Sequence, residues 1–283
     1  MKSKIGIYII MAALVFAACE PVEKRNTLKG TVTDAEIDQY VKIVQQERNG
    51  KKSNFFSFTS DGLKANTSFK HGMGTFVGAS SNGWMQCYLV AGDVSILLSV
   101  LNPDGTKVTK SFSFKVEEAF DVAPEWAIFC GTGSKVWEWD TSFGDGIHGM
   151  GDVFDDRATW WTIGKPEERV AGEGVGATMT FAADGTTLTK LRTDGTSDSG
   201  TFSFKMRSRD GFEDSLGEFT TSLVTVLAGV NSKDAGVENK FEIMQLDDDQ
   251  IHLLVIDMDG REAYKPDSEG WGQATHWRFR AKK

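Results

Sequence analysis

The sequence predicts an all-β protein built from two β-sandwich domains, on three observations. From Asn54 onward, polar and apolar residues alternate in short runs, the period of half-buried strands. The runs are broken by Asp-Gly, Asn-Gly and Pro-Asp-Gly turns. The pattern resets between Glu118 and Pro124, and 283 residues allow about two domains, so the junction is expected near Val122.

The chain opens with Lys2 and Lys4, an apolar run from Ile5 to Phe16, and Ala17-Ala18-Cys19. A basic start, an apolar stretch too short to span a bilayer and small residues at the end make residues 1–18 an export signal. The cysteine that closes it makes the segment a lipobox, with Phe16 where such signals usually carry Leu. Cleavage before Cys19 then leaves an acylated N-terminus, the expected anchor to the membrane.

Removing Lys2 and Lys4 from 31 basic residues leaves 29 against 40 acidic ones, so the mature chain carries about −11. That charge excludes nucleic acid as a partner and a polybasic membrane-surface role. Cys87 and Cys130 remain after lipidation, either as one disulfide or as two small buried hydrophobes.

Residues 19–52 read as a tether followed by a short helix. Glu20 to Gly30 is polar and charged. Thr33 is an N-cap candidate, Asp34 and Glu36 supply first-turn acids, and Ile37, Tyr40, Val41 and Val44 recur at helical spacing, so one helix is predicted from Thr33 to near Gly50.

The first β domain is placed at residues 53–120. Ala91 to Gly105 followed by Thr109 to Val116 forms a hairpin through a Pro-Asp-Gly turn. The second domain, residues 124–283, is dense in aromatics and turns: Lys135 to Asp140, Gly144 to Gly151, then Trp160-Trp161. Ile251 to Ile256 is apolar on both faces, a strand buried on both sides, and the last strand is placed at Thr275 to Arg280. A jelly roll of about 160 residues fits this span.

Tyr88 and the run Ala91 to Gly105 resemble the last hairpin of PKD-like immunoglobulin-type sandwiches. The usual Trp-x-Phe-Gly-Asp-Gly signature of that family is reduced here to Ser68 to Gly74. The resemblance implies a spacer domain. Lys135 to Asp140, His148 to Gly151 and Trp160-Trp161 in turn resemble the "Lys-x-Trp-x-Trp-Asp", Gly-rich and "Trp-Trp" motifs of surface glycan-binding lipoproteins encoded beside outer-membrane importers in polysaccharide-utilisation loci. That resemblance implies a non-catalytic, lipid-anchored outer-membrane protein that binds a polysaccharide or oligosaccharide and passes it to the importer.

The residues supply a physical case of their own. Sugar rings present C–H faces that stack on exposed indoles, and their hydroxyls pair with polar groups at a pocket edge. Trp160, Trp161, Trp271, His148 and Asp145 are the candidate ligand-binding residues. Trp160 and Trp161 point to opposite faces if extended, and Trp271 lies between glycines in a predicted loop. Trp137 and Trp139 alternate on one strand, which suits core as well as a binding face. Asp145, Asp152, Asp155 and Asp156 make an oxygen-rich loop suited to a structural calcium ion; no other cofactor is indicated.

The alternative is a jelly-roll glycoside hydrolase acting on the same glycan. Glu138-Trp139-Asp140 resembles the start of a Glu-x-Asp-x-x-Glu catalytic strand, but Phe143 occupies the place of the second glutamate, which removes the acid/base partner of a retaining mechanism.

Overall fold

The computed structural model describes residues 30–79, 83–206, 214–231, 236–256 and 272–283. The export signal, Cys19 and Trp271 lie outside the described residues. The protein is all-β, with two bodies of antiparallel strands.

The first body is a two-sheet sandwich. Strands β1 (Val41–Arg48), β2 (Lys51–Ser60) and β5 (Met85–Gln86) form one sheet. Strands β3 (Asn66–His71), β4 (Gly74–Val77), β6 (Gly92–Leu101) and β7 (Lys107–Val116) form the other, in the order β4-β3-β6-β7. Phe56, Phe58, Phe69, Ile96, Leu98 and Val100 fill the space between them. The expected hairpin is β6 and β7, paired from Gly92↔Val116 to Leu101↔Lys107.

The predicted helix is corrected. A single 3-10 turn, Ile37–Gln39, follows Thr33, and the chain then enters β1. The capping signal exists, since Glu36 Oε2 accepts from Thr33 N at 3.2 Å and Thr33 Oγ1 at 2.9 Å. It closes only one turn because Asn49 and Gly50 both take positive φ, 51° and 75°. That geometry folds Val41–Arg48 back on β2 as a hairpin. Val32 and Ile37 are already in the core, so the sandwich begins some twenty residues before the expected boundary at 53.

Pairing between strands stops at Val116 and resumes at Ser134, so no sheet crosses Val122. The bodies nevertheless touch: Leu89, Val90 and Val122 pack on the core of the second, and Gly185 N donates to Gly72 O. Cys87 and Cys130 are both buried and unbonded; burial pushes each thiol up to about 12.

The second body departs from a jelly roll. After helix α1 (Glu125–Cys130) come β8 (Ser134–Trp139), β9 (His148–Asp152), β10 (Trp161–Thr162), β11 (Thr178–Ala182), β12 (Thr187–Leu191), β13 (Ser197–Met206), β14 (Gly217–Ser222), β15 (Lys240–Leu246), β16 (Gln250–Ile256) and β17 (Gln273–Ala281). From β11 to β17 each strand pairs with the next, and β8 pairs with β11 at one end and β17 at the other. This closes an eight-stranded up-and-down barrel, whereas a jelly roll needs two sheets joined by crossing connections. β9 extends the closure along β17, and β10 pairs with β9.

Inward positions alternate with outward ones on every wall strand. Trp137, Trp139, Met179, Phe181, Leu188, Phe202, Phe219, Phe241, Trp277 and Phe279 share one buried cluster and occupy the lumen. Val224, Val226, Leu227 and Ala228, from the segment between β14 and β15, join that cluster from one end. The two-sided burial expected for Ile251 to Ile256 is present: Ile251, Leu253 and Val255 face the lumen, while Leu254 and Ile256 pack outside against Val153 and Ala274.

Candidate functional site

The segment between β8 and β11 leaves the barrel wall, adds β9 and β10, and places Trp160 and Trp161 on the rim. Glycine makes this possible at Gly149, where φ is 140° and a Cβ would lie 2.1 Å from Trp161 O. Only a residue without a side chain lets β10 pair there, with Trp161 opposite Met150. Trp160 and Trp161 are 46% and 47% exposed, so both indoles reach solvent.

Trp161 lines a cavity of about 710 Å³ together with Asp145, Thr162, Lys165, Glu168 and Arg169. The Arg169 guanidinium lies 4.6 Å from the Trp161 ring centroid, a cation–π contact. Gly164 lets Asp145 sit close, since a Cβ there would meet Asp145 Oδ1 at 2.4 Å. The segment that presents the polar groups is braced: Ile163 N donates to His148 O at 2.7 Å, and a 3-10 turn at Pro166–Glu168 is closed by Arg169 N to Pro166 O at 3.0 Å.

Of the candidates, Asp145 and Trp161 are brought together in this cavity. Trp160 is exposed beside it on the chain without lining it. His148 is a correction. Its ring is fully buried between Trp139 and Trp277, with centroids 5.9 and 5.0 Å away, and Nδ1 bonds His276 O at 2.9 Å. Burial, aided by the charge of Arg169, lowers its pKa to about 4. It is a core histidine because its neighbours on β17 face the lumen, and a residue opposite Trp277 must share that face.

Trp137 and Trp139 are core as well. The indole N–H of Trp137 donates to Phe129 O at 3.0 Å, that of Trp139 to Glu173 O at 2.8 Å, and that of Trp277 to Ala228 O at 2.9 Å. The aspartates proposed for calcium are engaged in local hydrogen bonds or in the rim cavity. Asp155 Oδ2 accepts from Asp152 N at 3.0 Å and from the Thr159 hydroxyl, Asp152 Oδ1 accepts from Phe154 N, and Asp145 belongs to the rim cavity. No three metal-ligating side chains converge among the described residues. Glu138 and Asp140 line a different cleft, of about 490 Å³, where Glu138 pairs with Arg280 at 3.0 Å and Asp140 accepts from Ser142 and Gln250.

Sequence reasoning missed two groups. Lys165, Glu168 and Arg169 lie just beyond the Trp pair on a Pro-initiated polar turn, the one local signal they carry. Glu173 is wholly buried: Oε1 binds Lys190 Nζ at 2.6 Å and Arg192 Nε at 3.2 Å, and Oε2 accepts Ala228 N at 2.7 Å. It thereby ties the segment after Arg169 to the plug between β14 and β15.

No protein-family model matches this chain, and no curated protein sequence matches it.

Proposed function

We propose that the protein is a non-catalytic, lipid-anchored glycan-binding protein of the outer membrane, which captures a polysaccharide or oligosaccharide at the barrel rim for uptake by an importer. The observation that carries this reading is the exposed Trp161 indole in a cavity that also offers carboxylates and cations, the mixture a sugar ring and its hydroxyls require. The packed lumen supports a rim site, because its side chains are spent on one another. The candidate catalytic carboxylates Glu138 and Asp140 line a cleft that contains neither exposed tryptophan of the rim, which favours binding over hydrolysis.

The test is a glycan array probed with the full-length chain in detergent, then titration of any hit against Trp161→Ala with thermal melts alongside. Loss of stacking is expected to cost about 1–3 kcal/mol, roughly 5- to 150-fold in Kd, with the melting temperature held. Unchanged affinity in Trp161→Ala defeats the assignment of the site.

A further inference from the structure

We propose that the first body is an end cap of the barrel, so that the two unfold and move as one unit, and that this unit holds the rim cavity at the pole opposite the chain's entry into the first body. Leu89 and Val90 lie between β5 and β6, yet Leu89 belongs to the barrel's core cluster and Val90 packs against it, while their neighbours Cys87 and Tyr88 belong to the core of the first body. One loop feeds both cores. The backbones approach closely as well: Gly185, on the turn between β11 and β12, donates its N–H to Gly72 O, and a Cβ at Gly72 would lie 2.6 Å from Tyr88 Cδ1.

Relative motion is the default for two bodies in one chain, and it needs a linker with play in it. Here there is none. Glu117 N donates to Lys52 O at 2.8 Å, Phe120 N to Asn54 Oδ1 at 2.8 Å, and the Gln86 amide to Phe120 O and Asp121 O at 3.0 and 3.1 Å. Asn54 is wholly buried and its amide also donates to Tyr88 O at 2.8 Å, so the linker and the loop that carries Leu89 share one clamp. The next residue, Val122, is already packed on the barrel core. No residue is left between the last bond to one body and the first contact with the other.

Strand pairing fixes which ends meet. Val41↔Ser60 and Asn66↔Leu101 lie at one end of the first body, where the chain enters and Val32 N donates to Asn102 Oδ1 at 3.1 Å. Arg48↔Lys51, His71↔Gly74 and Gly92↔Val116 lie at the other end, the one that meets the barrel. In the barrel, Gly185 marks the contact end, and Thr178↔Leu191 lies at the far end, where Thr193 N donates to Gly172 O at 2.9 Å just beyond Arg169 of the rim cavity. The first body is thereby a structural part of the unit that presents the rim, in place of the flexible spacer that its resemblance implied.

The test is thermal unfolding of the full-length chain in detergent, followed by tryptophan fluorescence and by far-ultraviolet circular dichroism. Fluorescence reports mostly the barrel, since seven of the eight tryptophans lie beyond Pro124, and dichroism reports both bodies. The two melts should coincide, and Leu89→Ala should lower both together by roughly 4 °C or more. Separate melts in the wild type, or a Leu89→Ala variant that shifts one melt or neither, overturn the cap. Nitroxides at Lys107→Cys and Ser197→Cys, exposed positions at the two poles, are placed in the Cys19→Ala chain for double electron–electron resonance. One narrow distance is expected, longer than the about 30 Å that the strand β6 alone spans. A broad or divided distribution overturns the single unit, and a shorter distance overturns the placement of the rim at the opposite pole.

Discussion

Replacing Glu173 by Gln keeps the shape of the side chain, removes its charge and turns one of its two acceptor oxygens into a donor, so it breaks the buried ion pair. Lys190 projects into the barrel with its side chain 5% exposed, and Glu173 is 1% exposed. Gln has one acceptor oxygen where Glu173 has two, so either the Lys190 ammonium or Ala228 N meets an NH2 donor, and beyond that oxygen the ammonium has the Val226 carbonyl at 3.5 Å. Breaking a buried pair in this way costs about 3–5 kcal/mol, because an uncompensated charge is left away from water. Arg192 suffers less, being 20% exposed and also paired with Asp198. For a barrel of about 150 residues the loss amounts to a fall of roughly 8–16 °C in Tm. Differential scanning calorimetry of wild type, Glu173→Gln and the double variant Glu173→Gln/Lys190→Met separates the terms. The double variant should recover much of the loss, since it removes the stranded charge. A single variant within about 1 kcal/mol of wild type, or a double variant no better than the single, refutes the view that Glu173 clamps the rim by charge.

Three further outcomes are expected. His148 and His276 are held neutral by burial with pKa values lowered to about 4, against 6.5 when free; the unfolded chain therefore takes up protons that the fold refuses between pH 6.5 and 4, and stability falls as pH falls through that window. The slope is about 1.4 kcal/mol per pH unit per histidine, so the urea midpoint should drop steadily with acid, and a flat midpoint from pH 7 to 5 speaks against buried neutral rings. Cys87 and Cys130 should resist a thiol reagent at pH 8 until denaturant is added, because burial keeps both protonated; labelling of either in the native protein contradicts that burial. Cys19→Ala should lose membrane fractionation and palmitate incorporation, and unchanged fractionation refutes the lipobox.

What was legible in the sequence is what is local. Alternation marks β7 and β13, and the shared parity of Trp137 and Trp139 places them on one face, here the lumen. Closure of the barrel depends on Phe279↔Trp139 and Trp277↔His148, pairs separated by more than a hundred residues. Period-two alternation assigns a face and says nothing of the partner, so sandwich and barrel look alike until those contacts form. The helix expected after Thr33 failed for a similar reason: Glu36 reaches back to Thr33, but the Asn49-Gly50 turn gives Val41–Arg48 a strand to pair with. At the site, Trp160 and Trp161 stand out by residue type, whereas Lys165 and Arg169 look like any exposed charges until the braced turn brings them beside Trp161. Glu173 carries no local signature of burial at all.

The filled lumen assigns the inward side chains to stability and leaves the proposed recognition to the rim. In a wider barrel the inward faces form the ligand cavity, and altering the site alters the core. Here Trp139, Phe219, Trp277 and their neighbours are packed to zero or near-zero exposure, and the three inward indoles have already given their N–H donors to backbone carbonyls. Such side chains offer a ligand neither a free face nor a free donor. On the proposed reading, recognition falls to the β9–β10 insertion, whose indoles at Trp160 and Trp161 are exposed. That insertion is still held by the barrel, through pairing of β9 with β17 on one side and through Glu173 just beyond Arg169 on the other. Substitutions of the exposed Trp160 and Trp161 are therefore expected to cost the fold little, whereas His148, Gly149 and Gly164 of the same insertion are fixed by packing and close approach.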